Sequence, residues 1–513
     1  MAQGRVVALD LGTSSVRALL LDDGAVPVPG ALARRPTRME LADDGKAELD
    51  PDLVVAAVGE CLDELAGRGQ LQAVGHVAVS CAWHSVIALD RAGRRLTGAL
   101  TWADTRAASM AEQVGARADL DRLQAATGAR PHALYWTVKL PWLAAELTPA
   151  PASYLGLAEY VTGALLGDQS ASASMASGTG LLDLAAVAWD GEALALAGVV
   201  EAALPALPGA GWTGRLTPAG ARRWPALAEA VWHPVTGDGA TSNVGAGCVT
   251  PERVAINLGT SAAIRAVHRP EESGPLHPDL WRYLVDERRL VTGAAFSGAG
   301  NLYAWLQRVL ALPDGDRAEA ELAKVPPGAR GVTVLPYHAG ARPPLELAAG
   351  SGVIAGMSLA TTATEILAAT LEAICFRLAA GLDALASTLP GEPEVVASGG
   401  AIVASPWWQQ TLADVLGRPV RLVDEPETSA RGAALLALGL TTEPATLRVA
   451  EPRPGAVRAE RTARAANDAL ARRLGYVQER PDHGTGALGG PWGERAPPTS
   501  IEGNVSTSDR RET

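Results

Sequence analysis

The sequence predicts a duplicated α/β protein of two lobes, and three observations carry that prediction. The first is an internal repeat: VVALDLGTSSVRALLLD at 6–22 returns as VAINLGTSAAIRAVHR at 254–269, with the two LGTS cores 247 residues apart. The second is the pattern within each copy, an apolar strand, a small-residue turn and another β-rich strand. That is a hairpin whose turn offers backbone N–H groups and hydroxyls to a phosphate. The third is the alternation of strand and helix patterns after each copy. It divides the 513 residues into lobes at 1–245 and 246–477, followed by a Gly/Pro/Ser-rich tail at 478–513 that is expected to be disordered.

The elements follow in order. LDPDLVVAAVGECLDELAGRG (49–69) has helical apolar spacing and ends at Gly67, and LQAVGHVAVSCAW (71–83) then reads as a buried strand. In the second lobe TEILAATLEAICFRLAAGLDAL (364–385) is a long, mostly apolar helix. PEVVASGGAIVASPWWQQTLADVL (393–416) is a strand, a glycine turn and a helix.

Composition excludes several classes of function. The chain is 48% hydrophobic and 19% charged, which is globular, and it lacks a run of about 18 apolar residues. A formal charge of -12 argues against nucleic acid or a membrane surface as partner. Lysine occurs only at Lys46, Lys139 and Lys324, so no lysine sits in a glycine-rich loop and no Walker-type phosphate clamp is present. Cys61, Cys81, Cys248 and Cys375 lie far apart and read as buried free thiols of a reduced compartment. The first residues meet Asp10 before any export-signal core is complete, so the cytoplasm is the expected location.

A duplicated phosphate hairpin in two α/β lobes resembles the hexokinase–Hsp70–actin superfamily. That likeness implies two actin-like, RNase H-like lobes with the site between them. GVIAGMSLATTATEILAATLE (352–372), VLPYHAGARPP (334–344) and DEPETSARGAALLAL (424–438) resemble motifs of the FGGY carbohydrate kinases, with Ala341 where that family often has glutamate. Within the family, SCAWHSVIALDRAGRRLTGALTWADTR (80–106), ATGARPHALYWTVKLPWL (126–143) and SASASMASGTGLLDL (170–184) are similar to gluconate kinases, Trp83 replacing the usual methionine. The resemblance implies ATP and Mg2+ as cofactors and a sugar acid or sugar as substrate, gluconate first. Xylulose or another ketose or polyol is the alternative, and a non-enzymatic actin- or Hsp70-like module the distant one. Association as a homodimer stays open.

Phosphoryl transfer needs a magnesium site, a phosphate cradle and a base beside the attacking hydroxyl. Asp10 opens the first turn where the second copy has Asn257. One carboxylate suits magnesium, whereas a second would repel the triphosphate. Gly12, Thr13 and Ser14, with Gly259 and Thr260, form the expected cradle, and Arg17 is a further cation there or an interlobe contact. The family likeness adds Gly300, Gly399 and Gly400 for the nucleotide and Asp238, in VTGDGATSNVG, as general base. Trp83, His84, Asp104, Arg106, His132 and Lys139 are the expected substrate residues, with Arg106 the first choice for a carboxylate because of its planar fork.

Overall fold

Residues 4–313, 315–328, 331–342, 351–424 and 427–476 are described by a computed structural model; the 478–513 tail and Pro343–Pro344 of the LPY motif fall outside them. Two sheets share one plan. The Arg5–Leu11 strand pairs antiparallel with Ser15–Leu21, which pairs with Pro27–Pro36, and on its other side lies parallel to Val74–Cys81. In the second sheet Arg253–Leu258 pairs antiparallel with Ala262–His268 and parallel with Glu394–Ser398. The repeated sequence is therefore a repeated hairpin beside a repeated parallel strand.

The helices start where local chemistry allows. Asp50 caps the Pro51–Gly67 helix by accepting from Asp52 N, with Pro51 at the first position. A reciprocal box of Thr362 and Glu365 opens the long Ala363–Ala386 helix, sixteen of whose residues are buried.

The lobes interpenetrate. The edge strand Trp281–Leu284 of the second sheet places Trp281 and Tyr283 in the apolar core of the first lobe. Its backbone is stitched there: Leu284 N donates to Ser177 Oγ at 2.9 Å, Arg282 N to Gly128 O at 2.9 Å, and Gln124 Nε2 to Leu280 O at 2.8 Å. The Thr428–Leu438 helix also returns to the first lobe, where Ala430, Ala433, Ala434 and Leu435 join the same core. It crosses the Asp238–Gly245 helix at two glycines. A Cβ on Gly432 would stand 1.8 Å from Thr241 O, and one on Gly245 2.0 Å from Thr428 O, so only bare backbone permits this crossing.

Candidate active site

Strand register gathers the acidic groups. Asp10 lies opposite Arg17 on one neighbouring strand and Ser80 on the other, and Ser80 lies opposite Thr236 of the short Thr236–Gly237 strand. Asp238 begins the helix that follows, so both aspartates stand at one end of the first sheet. Asp10 is 5% exposed, and burial pushes its carboxyl up to about 6 against the pull of Arg17, with the charge of Asp238 adding to the push. Arg17 Nη1 lies 3.3 Å from Asp10 and 2.7 Å from Glu427 Oε2, so this arginine ties the first hairpin to the head of the Thr428–Leu438 helix.

Asp238 is half-buried, and its Oδ1 accepts from Gly239 N at 2.8 Å. Burial raises its pKa, and the nearby positive charges of Arg265 and Arg342 pull the other way. The flanking glycines have a steric cause. Trp83 lies flat against them: a Cβ on Gly237 would stand 1.7 Å from Trp83 Cε2, and one on Gly239 2.7 Å from its Cζ3. Ser174 fixes both partners, its carbonyl accepting from Trp83 Nε1 at 3.0 Å and its hydroxyl from Gly237 N at 3.1 Å.

Around Trp83 stand His84, Tyr135, Trp281 and Tyr283, the ring of Tyr283 being 5.1 Å from Trp83 and 5.5 Å from His84. His84 has φ +73°, a left-handed backbone that strains a residue with a Cβ. Its Nδ1 lies 2.6 Å from the Gly178 carbonyl, and burial holds its pKa down at about 3. The ring is therefore neutral, Nδ1 carries the proton, and Nε2 is an acceptor. His132 is the complement: its Nδ1 accepts from Leu134 N at 3.0 Å, which leaves the proton on Nε2, and its pKa is also held at about 3 by burial. The two neutral rings therefore differ at Nε2, an acceptor in His84 and a donor in His132.

The two LGTS turns are closed in the same way. Gly12 N and Gly259 N close their own turns on Ser15 O at 3.2 Å and Ser261 O at 3.0 Å. The Gly300–Val309 helix begins on the second turn, Gly300 N donating to Gly259 O at 3.0 Å and Asn301 N to Thr260 O at 3.1 Å. Gly399, at φ +108°, backs onto Leu258, where a Cβ would stand 2.4 Å from the carbonyl oxygen; Gly400 opens onto free space. Gly259, Thr260, Gly300, Gly399 and Gly400 thus form one surface around the second hairpin.

Comparison with known proteins matches this frame. The pattern of the N-terminal domain of the FGGY family of carbohydrate kinases covers residues 5–245, and that of its C-terminal domain covers 254–439. The chain belongs to the FGGY family of carbohydrate kinases. Like other FGGY kinases it is a phosphotransferase that uses ATP as phosphoryl donor and a sugar as acceptor. Among its relatives, the gluconokinase of Bacillus licheniformis is 26% identical over 455 residues, 85% of this chain and 87% of that protein. The xylulose kinase of Streptomyces coelicolor is 29% identical over 461 residues, 85% of this chain and 88% of that one. Two solved structures from Lactobacillus acidophilus share the FGGY fold. The ligand-bound xylulose kinase superposes with a TM-score of 0.84, at 23% identity over 92% of this chain and 98% of that one. The gluconate kinase superposes at 0.83, with the same identity and coverage. Both lobes therefore share the fold of these kinases.

Three expected substrate residues are engaged by protein partners. Lys139 is fully buried, and its ammonium donates to His84 O at 3.2 Å and Thr101 O at 2.7 Å, stapling the two loops that carry His84 and Trp102. Asp104 is 1% exposed and accepts from Ala47 N at 3.0 Å and Arg106 Nη2 at 2.6 Å. Arg106 turns away from the aromatic cage: Glu48 takes its Nη2 at 2.5 Å, and it lines a separate open hollow with Lys46, Arg95 and Thr97. Its fork is filled by protein carboxylates.

Sequence reasoning did not single out Arg265, Arg342, Tyr135, Trp281 or Tyr283 as site residues. Arg342 lies over the Trp102 ring at 4.1 Å, a cation–π contact between the lobes, and burial together with the charge of Arg265 lowers its pKa to about 10 against the opposing pull of Asp238. Arg265 is the repeat's counterpart of Arg17, one residue further from its turn.

Proposed function

We propose that this kinase phosphorylates a sugar acid, gluconate, with Asp238 as the general base. The observation that carries the reading is the charge at the acceptor end, where two guanidinium groups, Arg265 and Arg342, act on one carboxylate, Asp238. His84 and His132 are neutral there, so a bound carboxylate meets net positive charge. The gluconokinase relatives agree with this choice.

In the reaction the Asp238 carboxylate takes the proton of the acceptor hydroxyl as its oxygen bonds to the γ-phosphorus, and the bond to the β-phosphate oxygen breaks to release ADP. His84 Nε2 and His132 Nε2–H orient the neighbouring hydroxyls, and the Trp83–Tyr283 wall excludes water. Thr13, Ser14 and Thr260 meet the phosphates with hydroxyls and backbone N–H groups.

Magnesium fits the residues present. Asp10 is a buried carboxylate held near 6, a group that gains from a cation beside it. Magnesium keeps several waters and binds through one or two carboxylates together with substrate phosphates, a role open to Asp10. Bound there, the ion would neutralise charge developing on the phosphates.

A coupled ADP-release assay across gluconate, xylulose, ribulose, glycerol and erythritol tests the reading. The highest kcat/KM is expected for gluconate; turnover confined to neutral acceptors refutes it.

A further inference from the structure

We propose that Arg265 is the residue by which the site reads the charge of its acceptor, receiving a sugar-acid carboxylate on its guanidinium. The proposal deepens the gluconate reading and rests on it for the existence of a carboxylate.

Arg265 projects from the Ala262–His268 strand into a slot made by two glycines. A Cβ on Gly239 would stand 3.0 Å from its Nε, and one on Gly293 3.0 Å from its Cγ. Its backbone is pinned by Asn243 Nδ2, which donates to Arg265 O at 3.1 Å from the helix that begins with Asp238. The guanidinium is thus held rigidly beside the proposed base. Its Nε is buried and has no hydrogen-bond partner, and it forms no ion pair with any described carboxylate.

That state is costly. A guanidinium taken out of water needs a counter-charge or full hydrogen bonding. Other arginines have one: Arg17 pairs with Glu427, Arg106 with Glu48 and Asp104, Arg453 with Asp414. Arg282, more fully buried, donates to Thr292 Oγ1 at 3.0 Å and Gly274 O at 3.3 Å. Burial lowers the pKa of Arg265 and of Arg342, the charge of Arg265 lowers that of Arg342 further, and Asp238 offsets only part of this in each. An anion entering between them supplies the missing partner, and the planar fork of arginine matches a carboxylate through two hydrogen bonds. Arg342 is held against the face of Trp102, whereas Arg265 carries a buried donor with no protein partner. Because Arg265 belongs to the second lobe and His84 and His132 to the first, the acceptor is gripped from both sides.

The test measures binding without ATP, by quenching of intrinsic tryptophan fluorescence, of gluconate and of the neutral six-carbon polyol glucitol. Arg265→Gln should weaken gluconate binding about 10- to 150-fold, and at least tenfold more than glucitol binding. Arg265→Lys, which keeps the charge and loses the fork, should fall between. Affinity for ATP serves as the control for a folded protein. Gluconate binding to Arg265→Gln within threefold of the parent, or equal losses for both acceptors, overturns the proposal while leaving the gluconate reading intact. A parent protein that ignores gluconate but loses another sugar acid on Arg265→Gln refutes that reading and upholds the proposal. A parent that binds only neutral sugars removes both.

Discussion

Tyr135 Oη and Tyr283 Oη lie 2.6 Å apart, one from each lobe, and burial holds both phenols above their usual pKa. Neither ionises at neutral pH, so the bond joins two neutral hydroxyls, each the other's partner. Tyr135→Phe or Tyr283→Phe alone should cost about 1–3 kcal/mol, because one buried hydroxyl is left unpaired. The double variant should recover most of that loss. Urea unfolding of the three proteins decides it; strictly additive losses would show that the hydroxyls do not depend on each other.

Asp238→Asn should retain ATP binding and lose turnover by roughly 10²- to 10⁴-fold, the usual range for a general base. The parent has a further signature. Because burial raises the pKa of Asp238, the base ionises at a higher pH than an exposed aspartate does. kcat/KM should therefore climb with pH through a midpoint above that of an exposed aspartate. A profile flat down to pH 4 would place the base elsewhere.

Asp10→Asn should gain stability as it loses function. The ionised carboxylate is disfavoured in the folded protein, with a pKa of about 6 against 3.8 in an exposed aspartate. Its cost appears as pH rises from the lower value to the higher and is complete above about 6, amounting to roughly 2–3 kcal/mol. At pH 7.5 the variant should melt at a higher temperature than the parent and need more magnesium for half-maximal rate. At pH 4 the difference in melting should shrink. Unchanged magnesium dependence would reduce Asp10 to a strand residue.

Lys139→Met should remove two hydrogen bonds to buried carbonyls, at His84 and Thr101, costing about 2–4 kcal/mol. The loops bearing His84 and Trp102 would separate, so KM for the acceptor should rise more than KM for ATP. Equal changes in both constants would mean that Lys139 supports the lobe as a whole.

The parts legible in the sequence were those encoded locally. The hairpins showed as alternating apolar strands around LGTS, and the Asp10/Asn257 difference showed as soon as the copies were aligned. What escaped depends on distant partners. Arg106 stands near Trp83 and His84 in the sequence, yet Glu48, 58 residues upstream, takes its guanidinium. The Gly-Asp-Gly of 237–239 has the composition of a tight turn, but these glycines end a strand and begin a helix, bare because Trp83 presses on them. Arg265 gave one faint signal, an arginine on the same strand of each copy. Its solitude depends on burial, which a local pattern does not encode.

The return of the Thr428–Leu438 helix also governs the order in which this molecule can be made. Ala430, Ala433, Ala434 and Leu435 complete a core begun by strands near the amino terminus. On a ribosome the first 245 residues emerge long before those four, so the nascent first lobe must wait with apolar surface uncovered until nearly the whole chain is synthesised. A chain halted between the lobes would be a client for chaperones, and the two halves should mature as a single unit late in translation.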